Sequence, residues 1–180
     1  RYGALYAGGL DAFACAMRHM KMRVAYVMAA ERRRVRRAML RHIWRPEYVF
    51  NTVREATQQM HEPLDWLSWT PPCPACSRGQ MLGGPNGSKQ RRRQRAQRAM
   101  RRAAKRLAAM AATTKPLIVT VEQVSDVETY FPSAWSAVRR TLDELPYRWQ
   151  WCNVDGARLG APTHRRRIAG VGVRTGASEA

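Results

Sequence analysis

The stretch Gly3-Ala4-Leu5-Tyr6-Ala7-Gly8-Gly9-Leu10-Asp11 decides how this chain folds. Gly3 to Tyr6 is a short apolar run and reads as a strand. Gly8 and Gly9 permit a tight turn and close approach of a ligand to the backbone. Asp11 suits the positively polarised start of a helix reaching about His19, which sets Phe13, Ala16, Met17 and Met20 on one side. Cys15, mid-helix among Ala and Met, reads as core. A second strand, Arg23 to Met28, leads to Glu31, about twenty residues beyond the glycines. This is the layout of a nucleoside-binding α/β unit, in which an acid at the second strand bonds ribose hydroxyls. Glycines in such turns also occur for purely conformational reasons, so the unit alone leaves its ligand open.

The alternation continues outward. Arg32 to Ile43 reads as a helix with Val35, Met39 and Ile43 inward. Tyr48 to Phe50 reads as a short strand, followed by a polar stretch with helical character to Gln59. Leu64 to Trp69 is a stronger strand, and it must stop at Thr70-Pro71-Pro72 because prolines supply no ladder donors. Residues Cys73 to Ser88, rich in Gly, Pro and Ser, read as a mobile loop. From Gln90 to Ala112, Ala96, Ala99, Ala103, Leu107 and Met110 recur at steps of three and four, an amphipathic helix with an Arg-rich outer face. Leu117 to Val121 has the β-branched character of a buried strand. A helix from Ser133 to Glu144 follows, then strands Tyr147 to Asn153 and Ile168 to Val173, joined by a turn from Asp155 to Arg167. The expected fold is a single α/β domain over 1–180: a doubly wound, mainly parallel sheet with a C-terminal antiparallel hairpin.

Of the 180 residues 45% are hydrophobic, enough for one domain with a real core. Lys and Arg exceed Asp and Glu by 19 charges, which points to a polyanionic partner, nucleic acid first. From Trp66 to Val121 there is no acidic residue, while Arg78, Lys89, Arg91, Arg92, Arg93, Arg95, Arg98, Arg101, Arg102, Lys105, Arg106 and Lys115 fall there. No apolar run approaches the roughly 18 residues of a membrane span, and no signal peptide opens the chain, so an intracellular protein is expected. The same reading leaves nucleus, bacterial cytoplasm and virus-infected cell unseparated. The chain opens without an initiator Met and reads as an excerpt of something longer. Its four cysteines lack the regularity of a disulfide framework, so reduced thiols are expected.

Cys73 follows a strand directly, in Pro71-Pro72-Cys73-Pro74-Ala75-Cys76-Ser77, at the edge where doubly wound folds place ligands. Three chemistries compete for it. A zinc half-site would need a second ligand pair, which Cys15, Cys152 and the scattered histidines do not offer. A thioredoxin-like pair would want a helix after Cys73, where a glycine-rich loop follows. An inert buried thiol, the third reading, suits Cys73 less than Cys15. A thiol held at this edge can also be a nucleophile, and Glu122, after the strand Leu117 to Val121, would be carried to the same edge.

These motifs resemble those of the cytosine-5 DNA methyltransferase family. Pro71-Pro72-Cys73 with Ser77 resembles the family's Pro-Pro-Cys-Gln-Pro-Phe-Ser, and Glu122-Gln123-Val124 is similar to its Glu-Asn-Val. Gly160-Ala161-Pro162-Thr163-His164-Arg165-Arg166-Arg167 resembles Gly-x-Pro-Gln-x-Arg-x-Arg. Leu5-Tyr6-Ala7-Gly8-Gly9-Leu10-Asp11 resembles the first cofactor motif, with Glu31 at the place of the ribose-binding acid. The five matches come in the family's order. Asn51 stands where the family keeps an Asp against the adenine, Gln123 replaces Asn, Thr163 replaces Gln, and the glycine motif is about two residues short.

The resemblance implies a Rossmann-like, S-adenosylmethionine-dependent methyltransferase acting on DNA, with no metal. Cys73 would add to position 6 of a flipped-out cytosine, Glu122 would hold ring nitrogen 3, and Arg165, supported by Arg167, would orient them. Tyr6, Gly8, Gly9, Leu10, Glu31, Asn51 and Pro72 would hold the cofactor. Ser77, Arg78, Lys89, Arg91, Arg92 and Arg95 would meet phosphates, with 73–88 as catalytic loop and 89–112 as Arg-rich helix. A tRNA substrate, or a module that binds nucleic acid without turnover, fits the same residues. The sequence stops short of the family's target recognition domain and C-terminal motifs, so it reads as a fragment, a split enzyme or a degenerate one, with a separate recognition domain or subunit as a candidate partner.

Overall fold

The computed structural model describes residues 1–8, 11–71, 86–160 and 162–176, with backbone alone for 86–90 and 92. In chain order it runs β1 (Tyr2–Leu5), α1 (Ala12–His19), β2 (Tyr26–Ala30), α2 (Arg34–Ile43), β3 (Tyr48–Phe50), α3 (Val53–Gln59) and β4 (Trp66–Trp69). It continues with α4 (Asn86–Thr114), β5 (Ile118–Val124), α5 (Asp126–Tyr130), α6 (Pro132–Asp143), β6 (Tyr147–Asp155), a 3-10 turn (Gly156–Leu159) and β7 (Arg166–Arg174).

Every residue of β1 and β2 is buried, because helices cover both faces of that part of the sheet. The seven strands lie in the order β3-β2-β1-β4-β5-β7-β6. The first five pair in parallel, and β7 pairs antiparallel with both β5 and β6. The carboxyl ends of β1 to β5 therefore share one edge, and the order reverses direction between β1 and β4, where such sheets open a crevice for ligands. One core cluster, with Leu67, Trp69, Leu107, Met110, Val119 and Phe131, holds the α3, α4 and α6 side; a smaller one, with Tyr2, Met17, Tyr26 and Leu40, lies under α1 and α2.

Several sequence expectations shift. Val35 is 73% exposed, and Met39 and Ile43 also face solvent; α2 instead seats Leu40 on the sheet, flanked by half-buried Arg37 and Trp44. On α1 the buried pair is Ala14 and Met17, while Ala16, Met20 and Cys15 are exposed. On α4 Ala99 is exposed and Met100 and Ala104 take core places, since the buried face winds with 3.6 residues per turn. The second strand begins at Tyr26 rather than Arg23, and α4 begins at Asn86, inside the stretch read as loop.

The C-terminal hairpin shows why β7 carries glycines. Gly170 and Gly172 oppose Trp151 and Trp149 across the strand pair. A Cβ on Gly170 would lie 2.5 Å from the Trp151 ring. That ring has little room to yield: it stacks on Trp149 at 5.5 Å, meets Trp135 edge-on at 5.6 Å, and has the Arg139 guanidinium 4.0 Å above it. Gly170→Ala is expected to destabilise the fold by about 1–3 kcal/mol through overpacking. Gly172→Ala, whose Cβ would meet Trp149 at 3.0 Å, should cost less. Urea unfolding midpoints of the two variants check the ranking.

Candidate active site

The chain turns sharply after β1. Tyr6 and Gly8 both take left-handed backbone conformations, at φ +61° and +66°. Gly8 then donates its N–H to Glu31 Oε2 at 3.1 Å, while Arg33 donates its N–H to Oε1 at 2.8 Å. Glu31 is only 7% exposed, so two backbone donors hold a buried carboxylate between the ends of β1 and β2. Arg36 stands 3.9 Å from Oε2. Among the described residues a Cβ placed on Gly8 would meet nothing within 4 Å.

Asn51, after β3, is exposed, and its N–H binds Glu55 Oε2 at 2.9 Å. Tyr6 is half-buried; burial pushes its hydroxyl above the ordinary tyrosine range, partly offset by the Arg106 guanidinium of α4. Thr70 Oγ1 donates to the Tyr6 carbonyl at 2.8 Å, which ties the end of β4 to the end of β1.

β4 and β5 are in register at Trp69 and Val121, one residue before Glu122. Across the sheet β7 brings Arg167 opposite Val124, diagonal to Glu122. Arg167 Nε lies 2.5 Å from Glu122 Oε1, close but without the alignment of a hydrogen bond; both side chains are partly exposed. Arg165 is exposed and makes no such contact, so Arg167, expected as support, is the arginine placed on Glu122. Gln123 points into the core, its Oε1 accepting the Val124 N–H at 2.9 Å.

Asp155 was not among the expected site residues. Its Oδ2 stands 3.1 Å from His164 Nδ1 and 3.7 Å from Arg166 Nε, and Gly156 donates its N–H to the Arg165 carbonyl at 3.2 Å. The His164 contact, ahead of the Ala157 N–H and Arg166, holds the Asp155 carboxyl below the usual range, and the group pins the segment that carries Arg165.

Asp11 caps α1 as expected, its Oδ1 accepting the Ala14 N–H at 3.2 Å. Sequence reasoning missed its other partners. The Tyr2 hydroxyl donates to it at 2.9 Å, the Tyr26 hydroxyl donates to it as well, and Ser68 Oγ lies 2.6 Å from the Tyr2 hydroxyl. Burial raises the Asp11 carboxyl above its ordinary value, outweighing the hydrogen bonds from Tyr26, Tyr2 and Ala14 that lower it. A carboxyl raised by folding stabilises most when protonated, so that contribution is full at pH below the unfolded value and is lost as pH rises through the folded one. Relative to Asp11→Asn, the unsubstituted chain should therefore gain stability as pH falls through the acid range. Urea midpoints of both proteins at several pH values give the comparison.

Cys73, Pro72, Ser77, Arg78, Gly9 and Leu10 lie outside the described residues. Lys89 and Arg92 fall on α4, but their side chains lie outside the described atoms; Arg91 and Arg95 are exposed on that helix. Among the described residues no cluster of His, Cys, Asp and Glu could hold a metal, and no helix is long and apolar enough to cross a membrane.

Among the described residues, a seven-stranded sheet in which β7 runs against both its neighbours defines the class: a Rossmann-like α/β fold. Solved structures share it. The Dnmt2 methyltransferase of S. pombe superposes over 100% of this chain with a TM-score of 0.65 at 13% identity, this chain covering 51% of it. The DNMT2 of Spodoptera frugiperda gives 0.66 at 17% identity over 98% of this chain and 50% of its own. A prophage-encoded candidate DNA modification methyltransferase of E. coli gives 0.63 at 16% identity over 96% and 46%. The chain thus spans about half the length of these proteins. No family model matches the sequence, and no curated protein matches it.

Proposed function

We propose that this chain is the cofactor-binding and catalytic region of a cytosine-5 methyltransferase acting on nucleic acid, with DNA as first substrate and Cys73 as nucleophile. The observation that carries the reading is the contact of Glu122 with Arg167 at the carboxyl edge, beside the end of the strand that leads into Pro71-Pro72-Cys73. The likeness in fold to solved methyltransferases supports the reaction class. The five sequence motifs support the base and the position attacked.

An S-adenosylmethionine site fits the ends of β1 and β2. Glu31 offers a buried carboxylate for ribose hydroxyls, and among the described residues nothing crowds the Gly8 backbone that a ligand would approach. Tyr6, Gly8 and Glu31 would hold the cofactor, with Asn51, Gly9, Leu10 and Pro72 assigned to it by their motif positions. When bound, the cofactor supplies an electrophilic methyl group to position 5 of the base.

Cytosine is too electron-poor at position 5 to take up that methyl unaided. The Cys73 thiolate adds to position 6, forming a carbon–sulfur bond and sending the ring's electron pair towards position 5 and ring nitrogen 3. Glu122 holds or protonates that nitrogen as the charge develops, and Arg167 keeps the carboxylate in place. Once position 5 has used that electron pair to take up the methyl group, the donor's sulfur leaving as a neutral thioether, loss of the proton from position 5 to solvent restores the double bond and expels the thiolate.

The test is transfer of tritiated methyl groups from S-adenosylmethionine to duplex DNA and to tRNA. Label in cytosine of DNA is the expected result. Label confined to tRNA would move the substrate to RNA. Absence of label with binding retained would leave a nucleic-acid-binding module and overturn the enzymatic reading.

A further inference from the structure

Five of the seven exposed cations described on α4 fall in one row, with Arg93 and Arg101 lying off it. Arg91, Arg95, Arg98, Arg102 and Lys105 follow one another at alternating steps of four and three, so they fall within about 80° of the helix circumference. All five are exposed, and Ala96, Met100, Ala103, Leu107 and Met110 are buried on the opposite side. The row runs about 21 Å along a straight axis. None of the five has an acidic partner among the described residues. Like charges at these spacings repel one another, so the row is unfavourable to the helix itself and wants an external counter-charge.

Its direction follows from two contacts. At the far end of α4 the Thr114 carbonyl accepts the Leu64 N–H, just ahead of β4, which is the amino edge of the sheet. Arg106, one residue past the row, interacts with the Tyr6 side chain at the carboxyl end of β1. The row therefore begins at the level of the candidate active site and leads away from the sheet.

We propose that Arg91, Arg95, Arg98, Arg102 and Lys105 form a phosphate-binding ridge that holds one strand of a nucleic-acid duplex beside the catalytic edge, outside the pocket for the target base. Laid along one strand, the five cations of the ridge offer one charge each to its phosphates. An acidic protein is the poorer partner, because the ridge offers none of the aromatic or apolar anchors that protein interfaces bury at their centre. An anionic membrane is poorer still, since the helix's apolar side is already committed to the core. What the held duplex is for rests on the methyltransferase reading; the contact itself does not.

Binding of a short DNA duplex, and separately of an RNA duplex of the same sequence, would be measured without cofactor across a series of KCl concentrations. The ridge variant carries Arg91→Gln, Arg95→Gln, Arg98→Gln, Arg102→Gln and Lys105→Gln. A control variant of equal charge carries Arg32→Gln, Arg34→Gln, Arg41→Gln, Arg54→Gln and Arg140→Gln, all at exposed positions. Glutamine keeps helix propensity, and a melting curve verifies that each variant folds. The logarithmic salt slope on DNA should fall by about 4–5 in the ridge variant and by much less in the control. Flattening on either duplex supports the ridge and identifies which nucleic acid it takes. Equal slopes for ridge and control variants on both duplexes would overturn it. So would displacement of labelled duplex by poly-glutamate as readily as by unlabelled duplex of equal charge. Ridge-dependent binding without methyl transfer would refute the enzymatic reading alone, and methyl transfer with an unchanged slope would refute the ridge alone.

Discussion

Cys73→Ala is expected to abolish methyl transfer while nucleic-acid binding persists. Position 5 of cytosine becomes nucleophilic only after a thiolate adds at position 6, so no slower route remains once the sulfur is gone. The loss should reach at least about 10⁴-fold, the scale seen when an enzyme's covalent nucleophile is removed. DNA carrying 5-fluorocytosine sharpens the measurement, because fluorine cannot leave as a proton would, and the adduct stays attached to the protein. The unsubstituted chain and Cys76→Ala should both give a denaturation-stable adduct. Its persistence in Cys73→Ala would reassign the nucleophile.

Glu122→Gln is expected to lower kcat by about 10²–10³-fold with little change in KM. The carboxylate acts on charge that appears only as the thiolate adds, so its removal is felt in the transition state more than in the bound ground state. Glutamine keeps the volume and cannot supply the proton or the charge that Arg167 meets at 2.5 Å. The side chain is partly exposed, so the melting temperature should stay close to that of the unsubstituted chain. Steady-state rates on DNA decide it, and an unchanged kcat would remove Glu122 from the mechanism.

Much of this architecture was legible before the structure. The β1 turn, the Asp11 cap, the Tyr48–Phe50 strand and the edge shared by Glu31 and Glu122 follow from apolar runs, glycines and caps that act over a few residues. What escaped depends on partners far along the chain. Val35, Met39 and Ile43 share a helix face, but periodicity says only that they lie together and not that anything covers them; the sheet met Leu40 instead. Arg165 and Arg167 sit two apart, the first just ahead of β7 and the second within it, and look equivalent in sequence. The antiparallel register that pairs Val124 with Arg167 selects the second, and no local signal encodes that register. The Tyr2–Asp11–Tyr26 network was hidden for the same reason, since its tyrosines come from two strands and its acid from a helix cap.

The strand order also sets an order of events in time. β1 is the first strand made, yet one of its neighbours, β4, lies some sixty residues downstream, with Tyr2 paired to Trp66. Each parallel pairing must close a long crossover before it gains a single ladder bond, whereas β6 and β7 need to close only the turn between Asp155 and Arg166. Loop-closure entropy therefore favours early formation of the hairpin with its stacked indoles. The glycine turn, which follows β1, the strand that waits for β4, reaches its final place among the last. Amide exchange during refolding would then protect β6 and β7 before β1, so that the part of the molecule that presents Arg167 is standing before the turn after β1 is laid.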